Sequence, residues 1–302
     1  MKLATTTGDF KFVDNYEEVI KRIYDAGFRY LDLSIYSADE KDYFIHPDWK
    51  ERVMRVNDYA QSLGMRFIQA HSPDFVGIQC REGYEAAVEK TIRSIEICGA
   101  MNIPSTVVHS IYAEGMYKDE FFEKNKIFHE RLYSAMEENN VNVLIENSTE
   151  ANMRNRYFFF TGADMKEFIE YLNHPLLHAC WDTGHANIEG HQYEDIMVLG
   201  KDLYALHIND NRGVMDEHII PYLGNASFDE VMNGLLDIGY NGYFTFEAGS
   251  SVIKDENNWI FPRRKYDKDN RLMNPPAFIY DDLEKLKYKI GEYILEKYNC
   301  KE

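Results

Sequence analysis

The segment 178-HACWDTGHANIEG-190 decides how the rest of the chain is read. Its apolar run, HACWD, is too short for a helix and ends on Asp182, with His185 three residues later. Strand residues alternate between two faces, so Asp182 shares a face with Cys180, while Ala179 and Trp181 point the other way. A run this apolar leaves its terminal carboxylate poorly solvated, and such a group is costly unless something pairs with it. If other runs end in the same way, the partner is a shared one.

Seven further short runs are present: KLATT (2–6), YLDLS (30–34), RFIQAH (66–71), STVVHS (105–110), NVLIEN (142–147), LYALHI (203–208) and YFTFE (243–247). Between them lie helix-like stretches at 16–28, 84–100, 119–140, 164–173, 228–239 and 281–298. In the first, Val19, Ile20 and Ile23 fall on one face and Gly27 marks the stop. Strands alternating with helices predict a parallel sheet. Eight such units in roughly 250 residues fit a closed (β/α)8 TIM barrel better than an open sheet. The first turn, TTTGDFKFVDN, carries none of the glycine-rich phosphate loops that open sheets use. The expectation is therefore an α/β fold, one barrel domain over 1–302. The polar, Pro-containing stretch 248–278 follows the eighth strand, and a loop of that length is placed to act as a lid over the barrel mouth.

Active sites of such barrels lie at the carboxyl ends of the strands. Those ends hold Asp32 (within the second run), His71, His109, Glu146, Asp182, His207 and Glu247. Acidic residues number 51 and histidines 10 in 302 residues, so this recurrence exceeds random placement. Parity supports convergence: Glu247 shares a face with Thr245, while Phe244 and Phe246 point oppositely. The loop 207-HINDNRGVMDEHIIPYLGNASFD-229 adds Arg212 and a D-x-H pair, Asp216 and His218, at a compact chelating spacing. Plainer readings exist for each. Glu146 and Glu247 would serve as salt-bridge partners, His71 and His109 as hydrogen-bonded structural groups, His185 as a helix cap, and Asp32 as a structural or supporting group. The convergence of Glu146, Asp182, His207 and Glu247 favours metal binding or acid–base chemistry. His46, His129, His174, His178 and His191 fall outside this ring and read as ordinary.

The formal charge is −18, from 33 Lys and Arg against 51 Asp and Glu. That balance argues against nucleic acid and anionic membranes as partners. The only local basic stretch, 263-RRKYDKDNR-271, is diluted by two aspartates. Cys80, Cys98, Cys180 and Cys300 form no C-x-x-C pair, which predicts reduced thiols. The start, MKLATTTGDF, lacks a signal pattern, and no apolar run is long enough to span a bilayer, so a cytoplasmic protein is expected.

Over residues 1–247 the chain resembles the xylose isomerase-like TIM barrels, the superfamily of sugar phosphate isomerases/epimerases and endonuclease IV relatives. The resemblance rests on an ordered set: AHSP around His71, VVHS around His109, LIENS around Glu146, WDTGHAN around Asp182 and His185, LHINDNRG around His207 and Arg212, DEHIIPYLG around Asp216 and His218, and YFTFEAG around Glu247. In the ketose epimerase branch it implies one divalent ion held by Glu146, Asp182, His207 and Glu247. The two glutamates then double as acid and base on opposite faces of the substrate, and His185 and Arg212 bind substrate. In the endonuclease IV branch it implies three zinc ions, with His71, His109, His185, Asp216 and His218 as further ligands. The chain departs from the family's D-x-H-x-x-P-G-x-G loop, having Pro-Tyr-Leu-Gly at 221–224.

The function expected from the sequence is a metal-dependent isomerase or epimerase of a sugar, sugar phosphate or polyol. It would abstract a proton beside a carbonyl and pass through an enediolate. Glu146 and Glu247 are the candidate catalytic groups; His185, Arg212, His71 and His109 the candidate substrate contacts. The donor types suit Mn²⁺ or Zn²⁺, with Co²⁺ or Mg²⁺ also compatible. Two alternatives stand beside it: an endonuclease IV-like zinc-dependent phosphodiester hydrolase, and a non-catalytic metal-dependent sugar-binding barrel. A homo-oligomer is left open.

Overall fold

A computed structural model of the chain describes residues 1–10, 15–35, 44, 46–73, 81–111, 115–150, 158–254 and 271–302. Eight parallel strands form its centre: β1 (Lys2–Thr6), β2 (Tyr30–Ser34), β3 (Arg66–His71), β4 (Ser105–Val107), β5 (Asn142–Glu146), β6 (Leu177–Asp182), β7 (Leu203–His207) and β8 (Tyr243–Phe246). β1 to β7 pair in sequence order, and β1 lies between β2 and β8. Closure comes from the chain just past β7: the Ile208 N–H donates to Thr245 O at 2.7 Å, and the Glu247 N–H to Ile208 O at 3.1 Å. The expected (β/α)8 barrel is thus the observed fold. β4 is shorter than its apolar run, so His109 sits two residues beyond the ladder.

The described helices are α1 (Tyr16–Ala26), α2 (Trp49–Ser62), α3 (Arg81–Met101), α4 (Lys118–Glu130), α5 (Tyr133–Asn139), α6 (Gly162–Leu172), α7 (Thr183–Glu189), α8 (Tyr193–Leu199), α9 (Phe228–Asp237) and α10 (Ala277–Lys297). Local chemistry sets several boundaries. Asn15 caps α1 by accepting the Glu17 N–H at 2.9 Å, and Gly27 ends it at φ +120°, a conformation that side chains disfavour. Thr161 and Asp164 form a reciprocal capping box at α6. The stretch 119–140 divides into α4 and α5, because the Arg131 and Leu132 N–H groups bond three residues back, to Phe128 and His129. This tighter turn re-aims the chain and buries Leu132 and Met136 as well as Phe121 and Phe128. The sequence reading did not anticipate α2, α7 and α8: α2 has no side-chain cap bond, and the other two span only seven residues each.

Alternation along the strands sorts the core into two zones. Ala179, Trp181, Phe244 and Phe246 belong to the large apolar layer under the helices. Val107, Leu144, Cys180 and Ala205 form a small separate cluster inside the barrel. Full burial of one large apolar side chain contributes about 1.5–3 kcal/mol, so the outer layer carries most of the stability. The parity assigned to Asp182 and Glu247 from sequence is therefore the one realised.

Part of the expected 248–278 loop is described. β9 (Ile253–Lys254) pairs in parallel with β10 (Leu272–Met273), and α10 starts at Ala277. Residues 255–270, with most of the basic stretch, lie outside the described residues, as does Cys80. Cys98, Cys180 and Cys300 are free thiols. Among the described residues no helix is long and apolar enough to cross a membrane.

Candidate metal centre and active site

The carboxyl ends of β5, β6, β7 and β8 bring Glu146, Asp182, His207 and Glu247 together, with one ligand-type atom from each within 4.8 Å of the others. The first three are buried; Glu247, with 12% of its side chain exposed, is the most open and lies toward the mouth. Glu146 faces two ways. Its Oε1 lies 2.5 Å from His207 Nδ1. Its Oε2 lies 3.4 Å from His109 Nε2 and 3.7 Å from His71 Nε2. His71 donates from Nδ1 to Ser72 O at 2.8 Å, which leaves Nε2 turned to Glu146. His71, His109 and Glu146 thus form a second donor group sharing a carboxylate with the first, and Cys180 lies within the same reach of Glu146 and His207.

A third group lies beside these. Asp216 Oδ2 sits 3.2 Å from His185 Nε2 and 3.0 Å from His218 Nε2. His185 is oriented by donating from Nδ1 to Asn147 O at 2.8 Å. His218 is oriented through its Nδ1, 3.0 Å from Glu247 O. Asp182 answers the question raised by its strand in two ways. It joins the ring, and its Oδ1 caps α7 by accepting the His185 N–H at 2.7 Å. His185 is thus the capped residue rather than the cap.

Supporting amides hold this arrangement. Asn147 receives the Asp182 N–H at Oδ1 (2.7 Å) and returns a bond to Asp182 O (3.0 Å), tying β5 to β6. Asn209 Nδ2 donates to Asp182 Oδ2 at 2.7 Å. Asp210, fully buried, accepts four backbone N–H groups, from Asn211, Ala226, Tyr222 and Gly224, at 2.8–3.0 Å. Burial pushes its carboxyl up, and these four bonds oppose that. The Pro-Tyr-Leu-Gly variant of the loop supplies two of the four amides. Sequence reasoning missed Asn147, Asn209, Asp210 and Gln69. The signal available was polarity at inward parity: Gln69 is two residues from His71, and Asn209 two from His207.

Arg212, expected to contact substrate, is not brought to the ring. Its side chain is 66% exposed and its guanidinium pairs with Glu217. Glu217 also accepts the Arg212 N–H at 3.0 Å, so a nearby carboxylate holds the arginine on the outside of the loop whose Asp216 turns inward.

The electrostatics follow from burial and crowding. Burial pushes Glu146 up, but His207, His71 and His109 outweigh it and hold the carboxyl well below the usual range. Burial likewise raises Glu247, and His207 and His218 overcome it, leaving the group lowered. For Asp182 burial wins, and the carboxyl is raised despite His185 and His218. Burial opposes charge on His207, yet its anionic neighbours, Glu146 and Glu247 among them, hold it well above an ordinary imidazole. Three carboxylates this close repel one another in a water-poor site, and positive charge is what makes the arrangement tolerable. Three oxygen donors and one imidazole, buried and preoriented, fit a divalent ion of the Mn²⁺, Zn²⁺, Co²⁺ or Mg²⁺ kind.

A family model described as xylose isomerase-like TIM barrel matches residues 20–269. The ketose 3-epimerase of Arthrobacter globiformis is 33% identical over 156 residues, 49% of this chain and 50% of that protein. The L-ribulose 3-epimerase of a Methylomonas species is 30% identical over 125 residues, 41% of this chain and 40% of that protein. The chain spans about half the length of the curated relatives it matches. Among solved structures, a D-psicose 3-epimerase with D-tagatose from Clostridium cellulolyticum superposes at TM-score 0.78 with 16% identity, covering 98% of this chain and 99% of that one, a likeness of fold. The family match runs over most of the barrel and takes in every residue of the ring: the chain belongs to the xylose isomerase-like TIM barrel family.

Proposed function

We propose that the chain is a metal-dependent sugar epimerase that inverts a ketose at the carbon beside its carbonyl. The observation that carries this is the meeting of two glutamates, Glu146 from β5 and Glu247 past β8, with Asp182 and His207 in one donor ring. Relatives named as ketose 3-epimerase and L-ribulose 3-epimerase support the substrate class. Glu146, Asp182, His207 and Glu247 would hold one divalent ion. When bound, such an ion stabilises the negative charge that develops on the substrate oxygens, an effect of several kcal/mol.

The chain's own groups do the proton work. Epimerisation removes the proton from the carbon next to the carbonyl and returns one on the opposite face. Both glutamates are held below the usual carboxyl range by neighbouring imidazoles, so both are kept ionised, the form a base requires. One removes the proton and becomes protonated; the other takes up a proton from solvent before returning it to the opposite face, and the roles exchange for the opposite epimer. His185, His71 and His109 stand around the ring as substrate contacts. Arg212 would join them only if its pair with Glu217 opened. The reading keeps the expectation of a cytoplasmic enzyme acting on a small sugar, without nucleic acid or membrane as partner.

Solvent deuterium exchange tests the proposal. With Mn²⁺ added, a panel of ketoses, inososes and their phosphates should include one that gains deuterium beside its carbonyl. Glu146→Gln and Glu247→Gln should each lower that exchange by at least about a hundredfold while circular dichroism stays unchanged. Undiminished exchange in both variants would remove them from the mechanism.

A second reading has one observation behind it: the His71–His109–Glu146 and His185–Asp216–His218 groups flank the main ring with donor spacing of their own. They are the additional ligands a three-zinc phosphodiester hydrolase would require. The −18 charge opposes a nucleic-acid partner. Elemental analysis separates the two: one ion per chain supports the epimerase, three zinc ions the hydrolase.

A further inference from the structure

β2 and β3 pair in a register that sets Asp32 opposite Gln69. Both side chains are buried under the donor ring. Asp32 Oδ2 accepts from Gln69 Nε2 at 3.0 Å and lies 3.4 Å from His207 Nε2. Its other oxygen, Oδ1, has no hydrogen-bond partner among the described residues. A buried carboxylate with one amide donor is poorly compensated, and an apolar residue of similar size would be cheaper for the fold. The position calls for a reason other than packing.

His207 supplies it. Its Nδ1 faces the ring, 2.5 Å from Glu146 Oε1 and 3.3 Å from Glu247 Oε2. Its Nε2 faces Asp32 and, at 2.9 Å, the Gln69 amide nitrogen. A neutral imidazole carries one proton on one of its two nitrogens. A ring that offers its Nδ1 lone pair to a cation must carry that proton on Nε2 and needs an acceptor there. As placed, the Gln69 amide nitrogen donates to Nε2 at 2.9 Å, so a cation-bound ring with its proton on Nε2 requires that amide N–H to turn aside and needs another group as acceptor. Asp32 Oδ2 is that group.

We propose that Asp32 is a positioning residue for cation binding. It accepts the Nε2–H of His207 and so turns the Nδ1 lone pair toward Glu146, Asp182 and Glu247. Gln69 steadies the same carboxylate from β3. A carboxylate behind a ligating imidazole fixes both ring orientation and tautomer, and it raises the basicity of the donating nitrogen. The inference rests on reading the four residues as a cation site.

The test uses the full chain with Mn²⁺ and Zn²⁺, in wild type, Asp32→Asn and Asp32→Leu. Asparagine keeps an acceptor oxygen and the shape but loses the charge; leucine loses both and keeps the volume. Mn²⁺ affinity by calorimetry should fall about 10- to 100-fold, more for leucine than for asparagine. Zn²⁺-loaded wild type should also show a slowly exchanging His207 Nε2–H proton resonance far downfield, displaced upfield in Asp32→Asn. A role confined to packing would lower the metal-free unfolding midpoint and leave both readouts in place. If leucine fails to fold, the asparagine variant carries both measurements. Variants that bind as tightly as wild type with the resonance unmoved would overturn the assignment of Asp32 alone. A wild-type chain that takes up neither ion would sink the cation-site reading and this inference with it.

Discussion

His129 shows at the scale of one residue what burial without a partner does. It lies on α4 at zero exposure, edge-on to Phe128 and Phe168. Neither ring nitrogen has a hydrogen-bond partner among the described residues. Burial alone pushes its pKa from 6.5 down to about 3. Between those values the unfolded chain binds a proton that the folded chain refuses, so stability falls as pH drops below about 6.5 and the loss levels off near 3. His129→Leu removes the group. Its urea-derived stability relative to wild type should improve by about 2 kcal/mol between pH 7 and pH 5, at about 1.4 kcal/mol per pH unit below 6.5. An unchanged difference across that range would mean that His129 finds a partner when protonated. The contrast with His207 and His218 is physical: there carboxylates lie within hydrogen-bonding distance, and the imidazoles are held above their ordinary range instead.

At the scale of elements, the junction of β6 and α7 is where backbone and site meet most closely. A Cβ added to Gly184 would lie 1.8 Å from Asn209 Oδ1 and 3.2 Å from Asn211 Nδ2. Neither is a free surface group. Asn209 holds Asp182 Oδ2, and Asn211 donates to Gly184 O at 2.6 Å. The methyl of Gly184→Ala must therefore displace Asn209 and release one oxygen of Asp182. Mn²⁺ affinity should drop by about tenfold or more, as for other losses of a partner behind a ligand, with a smaller effect on metal-free stability. Equal affinity would show that Asp182 is oriented without Asn209. The loop from Ile208 to Ala226 works on the same principle. The four amides gathered by Asp210 fold it back, and Asp216 and His218 are delivered beside His185.

For the whole molecule, a cation in the ring would join the ends of β5, β6, β7 and β8, which include the seam that closes the barrel. An ion that binds only the folded chain stabilises it by about 2.7 kcal/mol at a hundred times its dissociation constant. Chelation of the metal-loaded protein should therefore lower its melting temperature by several degrees, at about 2–4 °C per kcal/mol for a chain near this size. Restored melting on adding Mn²⁺ back, but not in Glu146→Gln, would place the effect at the ring; an unaltered temperature would deny the ring that role. The sequence by itself determined the eight strands, their inward and outward faces and the identity of the ring residues. These depend on period-two alternation and on residue type at strand ends, both properties of neighbours along the chain. Only the tertiary structure decided that Glu146 serves two donor groups, that Asp32 and Gln69 sit behind His207, that Asn147 and Asn209 hold Asp182, and that Arg212 pairs outward with Glu217. Those relations depend on strand register, loop folding and barrel closure, which set neighbours in space that no local pattern encodes.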